Sequence, residues 1–381
     1  MKILGIESSC DETAAAVVEN GSRVLSNVVN SQIDIHKVFG GVVPEVAARS
    51  HLEVVLPVID KAVSEVGGWN EIDAIACTTM PGLIGSLLIG SLTARTLALT
   101  KKIPFYPIHH VEAHVYANFL TEEISRQTTI KPDFAKKTIT KILETSTENI
   151  RESQPKFPIL ALIVSGGHSQ IVLFKNHGNY ELIGQTQDDA IGEAFDKVAK
   201  ILGLPYPGGP SIAKAAENGD IRKYKFPKAK MSRKYDFSFS GLKTAVLRAV
   251  QSECDKDYTF PSNALAELLN DSQRNNFAAS FQNIAIETLV DKISLAVSEF
   301  TPKSVVIAGG VAANEELRKQ LREKLPEMQI EYPPMKFCTD NAAMIASLGY
   351  FVSQKIPATN PRNIEVLPSV SMTKTAWNLD N

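Results

Sequence analysis

His110 and His114 stand four residues apart in the stretch His109-His110-Val111-Glu112-Ala113-His114. On a helix, that spacing puts both imidazoles on one face, a turn apart, so they can share one metal ion. Imidazole is a common ligand for zinc and for iron. Two histidines at this spacing with no other support are more often incidental, so the neighbourhood must carry the reading. Pro104 and Pro107 bracket an extended segment just upstream. The histidines then open a helix at the junction of two elements, where functional residues concentrate. A zinc-protease helix would read His-Glu-x-x-His. Here Val111 takes the place of that glutamate, and Glu112 falls about 200° around the helix, away from a shared ion. That spacing speaks against a protease.

The elements that must position this pair look duplicated. Ile3 to Val18 reads as an apolar strand, a small polar turn at Ser8 to Glu12 and a second apolar strand. Ile159 to Leu173 repeats the plan around Ser165-Gly166-Gly167-His168. A second matched pair follows each hairpin: Ala74 to Gly85 and Ser304 to Asn314 each run from a strand through a glycine-bearing turn toward a helix. Glycine lets a ligand approach the backbone there, and the free N–H groups favour phosphate. The repeated order predicts two related α/β domains facing each other across a cleft. The boundaries implied are 1–120 for the first lobe, 121–158 for an inserted surface segment and 159–344 for the second lobe. Residues 345–381 form a tail that packs back on the first. The insert is rich in Lys, Thr, Glu and Ser and holds no glycine.

The helical period predicts a helix over 189–202, ended by Gly203, and a long one over 274–300. The first carries Asp189, Glu193 and Asp196 on one stripe. Such a stripe is either a solvated surface or, beside the Gly208-Gly209-Pro210 turn, a set of carboxylates aimed at ribose hydroxyls. Arg222 to Lys234 holds seven basic residues in thirteen, no acid, and interleaved Tyr224 and Phe226. Phosphate contacts with stacking on unpaired bases would suit RNA, while a solvated loop is the plain alternative.

The 381 residues suffice for two full cores, with 44% hydrophobic and 22% charged residues in the ordinary globular range. A net charge of −2 gives no overall nucleic-acid signature, so an RNA partner needs a local patch. Four scattered cysteines without a Cys-x-x-Cys point to reduced thiols in a cytoplasmic protein. The apolar region Leu83 to Leu99 is broken by Gly85, Gly90, Thr93 and Arg95, which argues against a membrane span. The start, Met1 to Glu7, is too short for a signal-peptide core.

These motifs together resemble the bacterial tRNA N6-adenosine threonylcarbamoyltransferases, once labelled O-sialoglycoprotein endopeptidases. The resemblance rests on Gly5 to Thr13, His110 to His114, Val164 to His168, Asp188 to Lys197, Phe239 to Lys243, Gly309 to Asn314 and Cys338 to Asn341. It covers most of the chain outside the insert and tail. The sequence departs from the common Thr-x-Gly-Pro-Gly at Thr78-Thr79-Met80-Pro81-Gly82. The resemblance implies an actin-like/sugar kinase/Hsp70 fold of two ribonuclease H-like halves. It adds Asp340 to His110 and His114 as ligands of one divalent metal, Fe(II) before zinc. It places Ile163, Val164, Ser165, Gly166, Gly167, Asp196, Gly209 and Asn314 around a nucleotide-bearing substrate, L-threonylcarbamoyl adenylate. The implied reaction moves the threonylcarbamoyl group to N6 of adenosine 37 in tRNAs reading codons that begin with adenine, releasing AMP. No general base is evident, Asp11 and Glu12 at the first hairpin tip being the only candidates. Implied partners are tRNA, a shorter paralogue forming a heterodimer and a small ATPase, with no membrane. Two rivals stand beside this reading: a small-molecule kinase on the same fold, and a non-catalytic partner paralogue.

Overall fold

Apolar runs broken by short polar turns fold into two mixed sheets. A computed structural model describes residues 1–122, 130–133, 138–141, 154–373 and 377. The first half forms β1 (Lys2–Glu7), β2 (Glu12–Glu19) and β3 (Arg23–Ser31), then α1 (Ile33–Lys37) and α2 (Pro44–Ser64). It continues with β4 (Ala74–Met80), α3 (Ile84–Lys101), β5 (Phe105–His109), α4 (His110–Tyr116) and β6 (Thr121–Glu122). Two short strands, β7 (Ile130–Asp133) and β8 (Thr138–Lys141), pair antiparallel; most of the expected 121–158 insert lies outside the described residues. The second half forms β9 (Ile159–Val164), β10 (Ser169–Asn176) and β11 (Asn179–Gln185), followed by α5 (Ile191–Leu202) and α6 (Gly208–Ala216). Next come α7 (Ser240–Glu253), α8 (Ser262–Leu265), α9 (Asp271–Phe300) and β12 (Ser304–Ala308). It closes with α10 (Glu315–Lys324), β13 (Ile330–Glu331) and α11 (Ala342–Ser353).

The sheets run β5-β4-β1-β2-β3-β6 and β11-β10-β9-β12-β13. In each, a first strand pairs antiparallel with the next and parallel with the strand after the crossover, β1 with β2 and β4, β9 with β10 and β12. The duplication seen in the hairpins therefore extends to sheet topology. The turn after β12 is a single 3-10 turn, Gly310–Ala313, followed by a strongly charged α10.

Three helices explain how the halves meet. α4 and α11 are buried between the sheets, packing with Ile3, Ala76, Ile163 and Val306 in one core. Gly5 makes this possible: a Cβ there would lie 2.2 Å from the Ala342 carbonyl oxygen and 2.7 Å from the Ala346 amide. All of α11 thus rests on the first sheet, and a lobe boundary at 344 would fall inside it. α9, capped by a reciprocal Asn270–Gln273 box, carries the separate core of the second half.

The tail also crosses the first lobe. Thr359 N–H donates to Phe105 O, Leu367 N–H to Thr79 O, and Arg95 to the carbonyls of Pro361 and Arg362. Near its end, His177 of the β10–β11 turn stacks on Phe351 at 4.0 Å and touches Tyr116, Phe119 and Phe157. Burial, and then the Lys355 ammonium, push this imidazole down to about 4. A depressed folded value means stability present above the unfolded value near 6.5 and lost as pH falls toward 4. The ring is only partly shielded from solvent. With that discount, acidification from pH 7 to 5 should cost about 1 kcal/mol more in the parent than in a His177→Phe variant, read by urea titration.

Candidate metal centre and the cleft around it

The end of β5 delivers His109, whose Nδ1 accepts the Glu112 N–H at 3.4 Å and caps α4. The next turn presents His110 and His114 with ring centroids 4.7 Å apart. Asp340 arrives just ahead of α11, whose N-cap is Asn341. Its Oδ1 lies 3.5 Å from His110 Nε2 and 3.3 Å from His114 Nε2. The three donor atoms all fall within 4.8 Å of one another. Two ligands about 2.1 Å from a shared ion would stand about 3.0–3.4 Å apart, so the spacing suits one cation. His114 Nδ1 and Nε2 are buried without a hydrogen-bond partner, an arrangement that costs free energy unless something occupies the space. The donor set of two imidazoles and one carboxylate fits a divalent ion with open positions.

Glu7 completes this arrangement from behind, and the sequence reading missed it. Its Oε2 lies 3.0 Å from His110 Nδ1 and accepts from Thr78 Oγ1, while Oε1 accepts from Ser9 N–H. Ser9 Oγ also lies 3.1 Å from His110 Nδ1. A carboxylate on the far ring nitrogen fixes the tautomer that leaves Nε2 free for a metal. Burial opposes charge on His110, but Glu7 and Asp340 outweigh it and hold the ring up at about 9. Burial likewise opposes the Asp340 carboxylate, which His110 and His114 bring below the usual range. Glu7 sits at a strand end just before a polar turn, the only signal that could have flagged it.

The second hairpin tip closes over the centre from the other lobe. His168, at the end of that tip, feels His110 and His114; after burial, these hold its ring at about 4. Ile163 and Val164 are wholly buried sheet residues. Ser165 makes the turn with His168 through backbone and Oγ bonds. Gly166 and Gly167 are the exposed part, with nothing within 4 Å of where a Cβ would stand. Gly309, at φ +89°, lets the next turn press against Val164 O, where a Cβ would sit 2.4 Å away.

The carboxylate stripe on α5 divides. Asp189 and Glu193 both bind Lys197, whereas Asp196 turns to the glycine loop and accepts the Gly208 N–H at 2.6 Å. Gly209 beside it has open space at its Cβ position. Asn314 is more committed than expected: Oδ1 caps α10 through Leu317 N–H and Nδ2 donates to Gln282 Oε1. On the first-lobe tip, Asp11 is buried and Glu12 accepts from Ser31 Oγ. Burial, then Asp340 and Asp11, push Glu12 up to about 10. Tyr206, which the sequence did not single out, has its hydroxyl pushed well above the usual range by burial, then by Asp11 and Asp196.

The aromatic part of the basic-stretch reading is corrected by packing. Tyr224 lies flat on Phe277 at 3.7 Å and 2°, and Phe226 packs against the second core. Neither ring is free to stack on a base.

A duplicated mixed sheet with its site between the halves defines the actin-like/sugar kinase/Hsp70 fold, here carrying a two-histidine, one-carboxylate centre. A solved full-length HypF shares the fold, with a TM-score of 0.53 at 12% identity over 94% of this chain and 47% of that one. The chain belongs to the tRNA N6-adenosine threonylcarbamoyltransferase family, whose TsaD profile matches residues 23–128 and 141–347. It is 46% identical over 363 residues to the Thermomicrobium roseum member, covering 93% of each chain. It is 44% identical over 360 residues to the Bacillus subtilis member, covering 93% of this chain and 91% of that one. The protein is therefore a transferase; the kinase and partner-paralogue readings fall. Among the described residues, no helix is long and apolar enough to cross a membrane.

Proposed function

We propose that the protein transfers the threonylcarbamoyl group of L-threonylcarbamoyl adenylate to N6 of adenosine 37 in tRNAs reading codons that begin with adenine. The N6 amine attacks the carbamoyl carbon, the bond to the adenylate oxygen breaks, and AMP leaves. The observation that carries this reading is the convergence of His110, His114 and Asp340 under an open Gly166-Gly167 tip in a chain of this family. His110, His114 and Asp340 would hold one divalent ion, which would supply Lewis-acid polarisation of the threonylcarbamoyl group. Fe(II) is the ion we favour, with zinc as the alternative for the same donors.

The protein's own groups supply position and charge. Gly166, Gly167 and Gly209 leave backbone open to the adenylate, and Asp196 with Gly208 forms the wall beside its ribose. Asn314 and Gln282 support the adenine side as a bonded pair. Asp11 and Glu12 at the first-lobe tip are the two candidates to accept the proton lost from the amine. Purified protein, its partners, threonylcarbamoyl adenylate and tRNA should yield equal amounts of modified adenosine and AMP. AMP without modified nucleoside would overturn the reading.

The tRNA is met by the basic stretch as a ridge of cations. Along α9, Tyr224 N–H bonds Ser280, Lys228 bonds Glu287 and Asp291, and Lys234 bonds Glu299. Ser280 to Glu299 spans about 30 Å of helix. Arg222, Lys223, Lys225, Lys230 and Arg233 remain exposed, with no ion pair among the described residues. Phosphates spaced along an RNA backbone suit such a ridge. Replacing Arg222, Lys223 and Lys225 with alanine should raise the tRNA KM about tenfold, leave kcat unchanged, and flatten the salt dependence by about 2–3.

A shorter paralogue would cover the apolar face of α2 and α3, where Leu52, Leu56, Leu88 and Leu92 are 66, 59, 40 and 51% exposed. A small ATPase completes the assembly, which works in the cytoplasm with its tRNA. The two lobes, 1–120 and from 159 up to α11, with α11 and the tail returning to the first, provide the frame for that assembly.

A further inference from the structure

Glu112 stands between the two metal-binding histidines yet faces the other way. Its side chain is wholly buried, with a polar group against each carboxylate oxygen. Trp377 Nε1 donates to Oε1 at 2.6 Å, and the Tyr180 hydroxyl lies 3.3 Å from Oε2. The same Tyr180 hydroxyl lies 2.6 Å from Met372 O. Trp377 is seated over Gly178, where a Cβ would stand 2.6 Å from the indole. Three separate parts of the chain thus meet behind α4: the β10–β11 hairpin, the tail and the helix itself.

We infer that Trp377 and Tyr180 are positioning residues that set the rotation of α4, and through it the aim of His110 and His114 at Asp340. α4 has only seven residues, too few to define its own orientation. Glu112 is two positions from each histidine, so a fixed point on its carboxylate fixes the phase of both. The tail does not need this bond to stay in place, because Thr359, Arg95, Pro368 and Leu367 already tie it to the first lobe. The Trp377–Glu112 bond is thus available for orientation. Tyr180 comes from the second sheet, so the closure of one lobe on the other is read at the same carboxylate.

The inference rests on the metal reading above and is tested apart from it by measuring zinc affinity on full-length protein. Trp377→Phe keeps the ring on Gly178 and removes only the donor. We expect the zinc Kd to rise about tenfold, as for other partners that orient a ligand from behind. The Tm of metal-free protein should move by less than about 2 °C. Glu112→Gln, which keeps an acceptor for the indole, should stay within about threefold of the parent. Trp377→Phe should add nothing further in a Glu112→Leu background. A parent that binds no zinc would overturn the metal reading. Parent-like affinity in Trp377→Phe, or a fall in metal-free Tm with affinity unchanged, would overturn this inference alone.

Discussion

Replacing His110, His114 or Asp340 with alanine is expected to lower kcat/KM for adenosine modification by at least about a thousandfold, some 4 kcal/mol of barrier. Each removes one of three donors whose atoms lie within 4.8 Å of one another, leaving a buried site that no longer balances a cation. Metal content should fall from one equivalent toward zero in elemental analysis of protein purified without chelator. The ridge on α9 is built from other residues, so tRNA affinity should stay within about twofold by filter binding. Transfer that survives in all three variants would remove the centre from the reaction. The same elemental analysis of the parent decides between iron and zinc.

The second large effect comes from a residue that touches no substrate. Gly5→Ala places a methyl 2.2 Å from the Ala342 carbonyl oxygen and 2.7 Å from the Ala346 amide. Both obstacles are backbone of α11, so the helix must move as a whole. Overpacking of this kind costs about 1–3 kcal/mol. Asp340 lies two residues before α11, so the shift reaches the centre as well. A Tm lowered by several degrees together with weakened metal binding is the expected pair of results, by calorimetry and zinc titration. Gly166→Ala is the contrast, since nothing stands within 4 Å of the added atom. Its Tm should match the parent. Unchanged metal affinity in a destabilised Gly5→Ala protein would show that Asp340 is not held by the β1–α11 contact.

Much of this protein was legible from residue order alone. Strand, polar turn, strand is a local pattern, and its recurrence predicted both hairpins and the two-lobed plan. The spacing of His110 and His114 is local too, since the helical period alone brings them together. Asp340 was reachable only through resemblance, because no spacing rule links it to a helix two hundred residues upstream. Phe277 shows why the basic stretch was half misread: the aromatic pattern of Tyr224 and Phe226 looks the same whether the rings meet bases or a core. The α5 stripe was ambiguous for a similar reason, and only the approach of the glycine loop singled out Asp196.

Periodicity, turn residues and hydrophobic runs act over a few residues, and those determined the elements, their duplication and the histidine pair. Tertiary structure decided what stands behind and opposite that pair: Glu7 on the far nitrogen of His110, His168 from the other lobe, and Trp377 on Glu112. Such contacts join residues far apart in the chain, and they exist only once Gly5 lets α11 settle on the first sheet and bring Asp340 to the histidines.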